Sequence, residues 1–415
     1  MYESGEADVI SIAEGAAKSV AVKDREQYRK FLAEIEKFAE ERRLVLGGEH
    51  ATQLLLGDNV SPLEWGQIDL YSPSAVDHAK RLADALYNVD SNGLGYYTTM
   101  TTKIAGNEFI VSVNARDLAK VVSLRVRTMP IQRRAMFYEP GRPFCMPPEI
   151  QLIQIYGELC NPSRAVEWKE LLTIEAQLRT MTLKGLRPKI ARVKGGDDAE
   201  TPDQAIDVFR GAIANDYAKG EKRTQVGRVP PQFVAASLEA EKAAVGKLAE
   251  KAGVAISVAE ESCEIPMEPR LRRLSVYVAG KSGESREVLR VFNAAAFELV
   301  PYEETRGKKV GNVLVRMRFA LIEVWSVQLK VRTKELAQET GKRSLLGAVE
   351  KYEDAAKEYA RTLEEKDALD KLFPLDSSLG QVEDLDLARK RFIQEQTKKS
   401  AARYPPYYPT AKRAG

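Results

Sequence analysis

Gln67-Ile68-Asp69-Leu70-Tyr71-Ser72 is the stretch on which the fold of this chain turns. Side chains alternate along an extended strand, so Gln67 and Asp69 share one face while Ile68 and Leu70 share the other. Upstream, Leu44-Val45-Leu46 reads as a short apolar strand ending in Gly47-Gly48, and a short helix follows from about His50 to Leu56. A glycine pair between a strand and a helix lets backbone N–H groups and the helix N-terminus approach a phosphate, although such a pair is more often a plain turn. Downstream, Ser72-Pro73 predicts an N-cap with proline in the first turn, opening a helix with Val76, Ala79, Leu82, Ala83 and Leu86 on one face. Strands at Gly95–Ala105 and Glu108–Asn114 then join at Gly106-Asn107 as a hairpin. Before all of these, Asp24–Arg42 spaces Tyr28, Leu32, Ile35 and Phe38 as an amphipathic helix. Together these elements describe a small α/β unit ending near residue 145.

Helical patterns dominate from Pro147 to about Thr182. Gly195–Gln204 (GGDDAETPDQ) reads as an exposed loop. Ala205–Gly220 and Gln232–Gly253 read as Ala-rich helices, Leu271–Ala279 as a strand, Lys309–Lys330 as a core helix after a turn at Gly311-Asn312, and Gly347–Leu372 as a charged amphipathic helix. No internal repeat at a fixed period is evident. The expected organisation is an N-terminal segment 1–23, an α/β domain 24–145, a helical connection 146–194, the loop 195–204, a second helical and α/β domain 205–388, and a basic Tyr/Pro tail 389–415.

At 415 residues, 44% hydrophobic and 30% charged, the chain has room for two or three domains with a sizeable core. No apolar run reaches the roughly 20 residues needed to span a bilayer, and MYESGEADVISIAEG has neither a basic region nor an apolar one typical of a secretion signal. No membrane is expected. Cys145, Cys160 and Cys263 are odd in number and widely spaced, which suits a reducing compartment. Only two histidines, His50 and His78, leave little basis for zinc sites or Ser/His/Asp chemistry, so catalysis would fall to carboxylates. His50, just after the glycines, either touches a phosphate or is a helix N-terminal residue without a role.

Net charge is only +3, but basic residues cluster. Leu124–Arg134 (LRVRTMPIQRR) holds Arg125, Arg127, Arg133 and Arg134 with no acid, and Leu183–Lys194 holds five basic residues with no acid. Arg389–Arg413 carries eight basic residues against Glu395 alone, with Tyr404, Tyr407 and Tyr408 among prolines. Such composition grips a phosphate backbone and stacks bases, or else solvates a strand edge and stiffens a tail that packs on its own protein.

Several blocks, in order, resemble the poly(A) polymerase catalytic subunit of large nucleocytoplasmic DNA viruses. Leu46-Gly47-Gly48, the helix after it and Gln67–Ser72 look like the family's nucleotidyltransferase core. Pro147–Leu178 resembles its helical segment, Val291–Trp325 its second-domain signature, and Tyr404–Pro409 (YPPYYP) its tail. The resemblance implies an α/β (α+β) fold: a nucleotidyltransferase-type N-terminal domain followed by a second, helical and α/β poly(A)-polymerase-like domain. For an active member it implies ATP beside Gly47 and Gly48, with Mg²⁺ or Mn²⁺ held by Asp69 and companion acids. It also implies RNA as a partner, a homodimer or pairing with an active polymerase subunit, and a place in the host cytoplasm, the viral factory or the virion.

The family's pattern carries an aspartate where this chain has Gln67, and aligning Phe109–Ser123 with the family's third-carboxylate strand puts Lys120 at another aspartate position. Asp69 is then the retained acid. A unit-charge contact at about 4 Å and an effective dielectric near 20 is worth about 4 kcal/mol, so an ammonium there turns an attraction for a metal ion into a repulsion of similar size. Asp117 stands three residues before Lys120, on the opposite face of a regular strand, and can join Asp69 only through a bulge. Glu64 lies too early, across Gly66. The expectation is therefore a polynucleotide-adenylyltransferase relative that leans inactive, needs no cofactor, and serves mRNA 3′-polyadenylation as a non-catalytic RNA-associated subunit or virion component. The alternatives are an active template-independent poly(A) polymerase transferring AMP from ATP to RNA 3′ ends, with Asp117 completing its site, and a structural virion protein that keeps only the fold.

Overall fold

The computed structural model describes residues 30–56, 67–89, 98–103, 108–114, 116–123, 132–133, 144–160, 168–190, 209, 211, 216–218, 223–228, 230–263, 265, 271–279, 285–293, 300–372 and 404–409. The segment 1–23, the loop 195–204, Glu64, the Gly106-Asn107 turn and most of 389–415 lie outside them, as does most of the Ala205–Gly220 stretch. The chain divides into two compact units, one comprising Met1–Leu124, Pro130–Met146 and Arg389–Gly415, the other Arg125–Met129 and Pro147–Ala388.

Unit 1 opens with a helix over residues 30–41 (α1) that buries Ile35 and Phe38, as the sequence spacing predicts, together with Phe31, while Leu32 is only partly buried and Tyr28 lies outside the described residues. Strand β1 (Val45–Gly47) runs into α2 (Gly48–Leu56), and β2 (Ile68–Ser72) leads to α3 (Ala75–Tyr87). Strands β3 (Thr98–Lys103), β4 (Glu108–Val113), β5 (Arg116–Ser123), β6 (Gln132–Arg133) and β7 (Phe144–Cys145) complete a seven-stranded mixed sheet of order β3-β4-β5-β2-β1-β7-β6. The β3–β4 hairpin pairs Lys103 with Glu108, and β5 lies parallel to β2. Helix α3 buries Ala79, Leu82, Ala83 and Leu86, each large apolar side chain contributing about 1.5–3 kcal/mol.

Helix α3 starts later than Ser72-Pro73 suggests. Ser72 stays in β2 and uses its hydroxyl twice, accepting from the Ser74 amide at 3.0 Å and meeting His78 Nδ1 at 2.5 Å. That side-chain turn, rather than an N-cap, sets the helix entry, and Ser74 occupies the cap position without a side-chain bond.

Unit 2 begins with α4 (Pro148–Leu159) and α5 (Trp168–Ile190). Its sheet has strands β8 (Arg223–Arg228), β9 (Pro231–Ala235), β10 (Ile256–Ser262), β11 (Arg272–Ala279), β12 (Ser285–Asn293), β13 (Tyr302–Thr305) and β14 (Lys308–Gly311). Helix α6 (Leu238–Ala252) links β9 to β10, and α7 (Val313–Arg332), α8 (Gln338–Leu363) and α9 (Ala368–Leu372) follow β14. Phe233, Val245, Leu274, Val276 and Leu289 are buried in one apolar cluster.

Two sequence expectations fail here for local reasons. Gln232–Ala235 is strand rather than helix: two prolines precede it, Phe233 and Val234 favour a pleated surface, and Ser237 then caps α6 by accepting from the Ala240 amide. The expected helix Gly347–Leu372 is instead the C-terminal part of α8, which starts at Gln338 and ends at Leu363, with α9 after a break.

The second sheet repeats the first. Its order, β10-β11-β12-β9-β8-β14-β13, matches β3-β4-β5-β2-β1-β7-β6 strand for strand, with the same sequence of antiparallel and parallel neighbours. The helix between the second and third strands recurs as α3 and α6. No period is visible in the sequence because the repeat is one of wiring.

A buried polar network ties α4, α5 and α8. Tyr156 donates to Glu175 at 2.7 Å, the Tyr156 and Tyr352 hydroxyls lie 2.8 Å apart, and Arg179 Nε meets Glu175 at 2.8 Å. Burial pushes the Glu175 carboxyl up, against the pull of Arg179. Glu175→Ala leaves the Tyr156 hydroxyl with Tyr352 alone and takes the acid from beside Arg179, and we expect it to lower the unfolding free energy by about 1–3 kcal/mol in urea titrations, the cost of an unsatisfied buried group. The His78 imidazole is held below its ordinary 6.5 by burial and by Arg42 and Arg81, with Asp77 opposing. The folded state then binds a proton less readily than the unfolded one, so stability is complete above 6.5 and falls as pH drops through that value. Between about pH 7.5 and about pH 5.5 the melting temperature of His78→Gln should fall less than that of the parent.

Candidate functional site

The face of β2 that carries Gln67 and Asp69 is set by pairing on both sides. Antiparallel β1 places Gly47 opposite Asp69, and parallel β5 places Lys120 beside it. The glycines are required by proximity. A Cβ on Gly47 would collide with the Tyr71 ring, and one on Gly48 would stand 2.9 Å from Asp69 Oδ2, with φ of +63° adding strain for any other residue. The strand–glycine–helix turn thus lies directly against the Asp69 carboxylate.

Lys120 Nζ is 2.9 Å from Asp69 Oδ2, with the two side chains 25% and 14% exposed. Water screens such a half-buried pair less than a surface one. Gln67 Nε2 is buried and has no hydrogen-bond partner among the described residues. A neutral amide, one carboxylate and one ammonium sum to no net negative charge, and a pair of divalent cations with four positive charges needs several carboxylates. The Gln67, Asp69 and Lys120 set does not fit such ions.

Asp117 has a more interesting place. Pairing runs Ile110↔Lys120, Val111↔Ala119 and then Ser112↔Asp117, so two steps along β4 match three along β5. This is a bulge at Leu118, and it sets Asp117 and Lys120 opposite residues of one face, Ile110 and Ser112. Ser112 donates its hydroxyl to Asp117 Oδ1 at 2.6 Å, and Asp117 is exposed. Asn114, at φ +49°, carries the turn from β4 to β5, so the stretch Phe109–Ser123 is two strands rather than one. An Asn before the second strand was the available signal for that turn; nothing in the residues announces the bulge.

His50 is engaged away from the glycine turn, its Nε2 lying 2.8 Å from Glu36 Oε1 of α1. Arg125, Arg127 and Arg134 lie outside the described residues, and Arg133 is placed only as a backbone position in β6. Trp325 is buried in α7, with 1% exposure. Among the described residues, no three His, Cys, Asp or Glu side chains gather as metal ligands, and no helix is long and apolar enough to cross a membrane.

Unit 2 repeats the local geometry with different chemistry, which sequence reading missed. Gly227 of β8 stands opposite Gln232 of β9, and Gln232 stands beside Arg290 of β12, the positions of Gly47, Asp69 and Lys120 in the first sheet. A Cβ on Gly227 would come within 2.9 Å of Gln232. Glu323 of α7 fills this position, accepting from Gln232 Nε2 at 2.8 Å and from Lys351 Nζ at 2.9 Å, with Arg290 Nη1 at 3.1 Å. Burial opposes ionisation of Glu323, but Arg290 and Lys351 hold its carboxyl below the usual range.

No protein-family model matches the chain. An uncharacterized protein of African swine fever virus is 28% identical over 364 residues in a tick isolate from Malawi, spanning 81% of this chain and 82% of that one. The South African tick isolate's version is 27% identical over 365 residues, with the same shares covered. The crystal structure of the Megavirus polyadenylate synthase is similar with a TM-score of 0.67 at 15% identity, over 99% of this chain and 86% of that chain. The chain therefore shares the fold of the Megavirus polyadenylate synthase and has similar proteins in African swine fever virus.

Proposed function

We propose that this protein is a catalytically silent relative of viral poly(A) polymerases that associates with RNA, either as a non-catalytic subunit beside an active polymerase or as a component packaged in the virion. The observation that carries this reading is the Lys120–Asp69 ion pair at 2.9 Å. The ammonium occupies the neighbourhood of the acid that a divalent cation would need, and Gln67 supplies no charge to offset it. The basic clusters and the polymerase-like scaffold support RNA as the partner, in the host cytoplasm or the viral factory.

A second reading, an active adenylyltransferase using ATP with Mg²⁺ or Mn²⁺, is favoured by one feature: the Leu118 bulge that puts Asp117 on the Lys120 face. Primer extension separates the two. With labelled ATP, either cation and a single-stranded RNA primer, the parent protein should leave the primer unextended. Tailing that disappears in Asp117→Asn would establish the active enzyme and end the silent one.

Restoring charge should restore an ion. In the double variant Gln67→Asp with Lys120→Asp, added Mn²⁺ should raise the melting temperature, by an amount equivalent to about 2.7 kcal/mol when the ion is at about 100 times its Kd. The parent and both single variants should not respond.

RNA association has its own readout. Binding of a fluorescent single-stranded RNA should weaken with salt, log K against log salt falling with a slope of about −0.7 for each phosphate neutralised. Absence of RNA binding at low salt would leave the fold-only structural role.

A further inference from the structure

The six residues Tyr404–Pro409, Tyr-Pro-Pro-Tyr-Tyr-Pro, carry a chemistry that the strand face at Asp69 does not use. Proline fixes its own φ near about −65° and steers the residue before it to extended backbone. Pro405, Pro406 and Pro409 are fixed in this way, and Tyr404, Pro405 and Tyr408 are steered. The segment is thereby disposed to the polyproline II helix, which turns once in about three residues.

Its burial follows that repeat. Tyr404 and Tyr407, three apart, are the tyrosines turned onto unit 1. Tyr404 meets the Phe109 ring edge-on at 5.4 Å between centroids. Tyr407 exchanges two backbone hydrogen bonds with Met100 of β3, each 2.9 Å, and its hydroxyl donates to Asp84 Oδ1 at 2.7 Å. Lys80 Nζ lies 5.7 Å from the Tyr407 ring centre. Pro405, Pro406 and Tyr408 face solvent, and Tyr408, at 54%, is the most exposed large hydrophobic side chain among the described residues.

We propose that Tyr404–Pro409 is a docking ligand for a partner protein domain that reads a polyproline II helix through an aromatic-lined groove, with Pro405, Pro406 and Tyr408 as the face that is read. A rigid proline pair followed at two residues by an aromatic ring matches a groove with one slot for the Pro–Pro step and one for the tyrosine, the chemistry of a WW domain. The alternative Pro406–Pro409 pairing fits less well because Pro409 is half-buried. Contacts to Met100 and Asp84 already order the backbone, so a partner binds a segment whose conformational entropy is spent. Base stacking asks for several successive open rings, and here two of the three tyrosines are occupied on the protein itself.

The test titrates the full-length chain into an isotopically labelled WW domain of the class that recognises Pro-Pro-x-Tyr, with domain resonances as the readout. Saturable shifts at the groove aromatics are expected. Tyr408→Ala and Pro406→Ala should each weaken binding at least about tenfold, as loss of a buried anchor does. Tyr407→Phe, which removes only the Asp84 bond, should bind within about threefold of the parent, since an intervening side chain is not an anchor. Unchanged melting temperatures of Tyr408→Ala and Pro406→Ala keep the comparison one of recognition. Absence of saturable shifts with the parent chain, or shifts that survive Tyr408→Ala, would overturn the proposal. So would a parent that ignores the WW domain while Tyr408→Ala weakens its binding to single-stranded RNA.

Discussion

The ion pair between Lys120 and Asp69 is the constraint to which the candidate site answers. It exists because β5 lies parallel to β2 in one register, Ile68↔Ala119 through Ser72↔Ser123. A slip of one residue would turn Lys120 to the opposite face and leave the partly buried carboxylate beside Ala119 or Val121. Gly47 and Gly48 close the other side so tightly that no side chain could replace them without moving Tyr71 or Asp69. The acid is thus enclosed by backbone on one flank and by its own counter-ion on the other. Removing the lysine would leave a carboxylate 14% exposed without its nearest cation, which is why the pair is a structural element as well as a statement about charge.

Much of unit 1 was legible in the residues because its signals are local. The α1 spacing, the Leu44–Leu46 strand into two glycines, the QIDLY strand and the β3–β4 hairpin all rest on periodicity or turn chemistry within a dozen residues. What was not legible depends on the register in which strands pair. The Leu118 bulge is a property of the β4–β5 register, and the residues Arg116–Lys120 alone do not declare it. The same holds for unit 2, where the short strand Pro231–Ala235 runs directly into the Ala-rich stretch that forms α6. Ser72 shows the smaller kind of miss: its hydroxyl is committed to Ser74 and His78, so a motif that would ordinarily cap a helix ends a strand instead.

The repeated wiring shows how little of a site is fixed by topology. Both sheets set a glycine, a polar residue and a basic residue side by side across three neighbouring strands, yet one position holds a partly buried ion pair and the other is filled by Glu323 with its bonds to Gln232, Arg290 and Lys351. A buried carboxylate with three partners has its charge and hydrogen bonds taken up within the protein. Chemistry belongs to the side chains placed on the frame, and this chain carries two versions of one frame with different occupants.

The bridge between Met100 and Tyr407 has a consequence for synthesis on the ribosome. Strand β3 is an edge of its sheet, and the residue that bridges to it is encoded 307 residues later, by the numbers of those two residues. At about 5–20 residues per second the exposed edge waits roughly 15 to 60 s for its cover, a period during which the whole of unit 2 emerges and folds. Nascent chains are most vulnerable to edge-to-edge association over such an interval, so closure of this edge has to wait until unit 2 has been made.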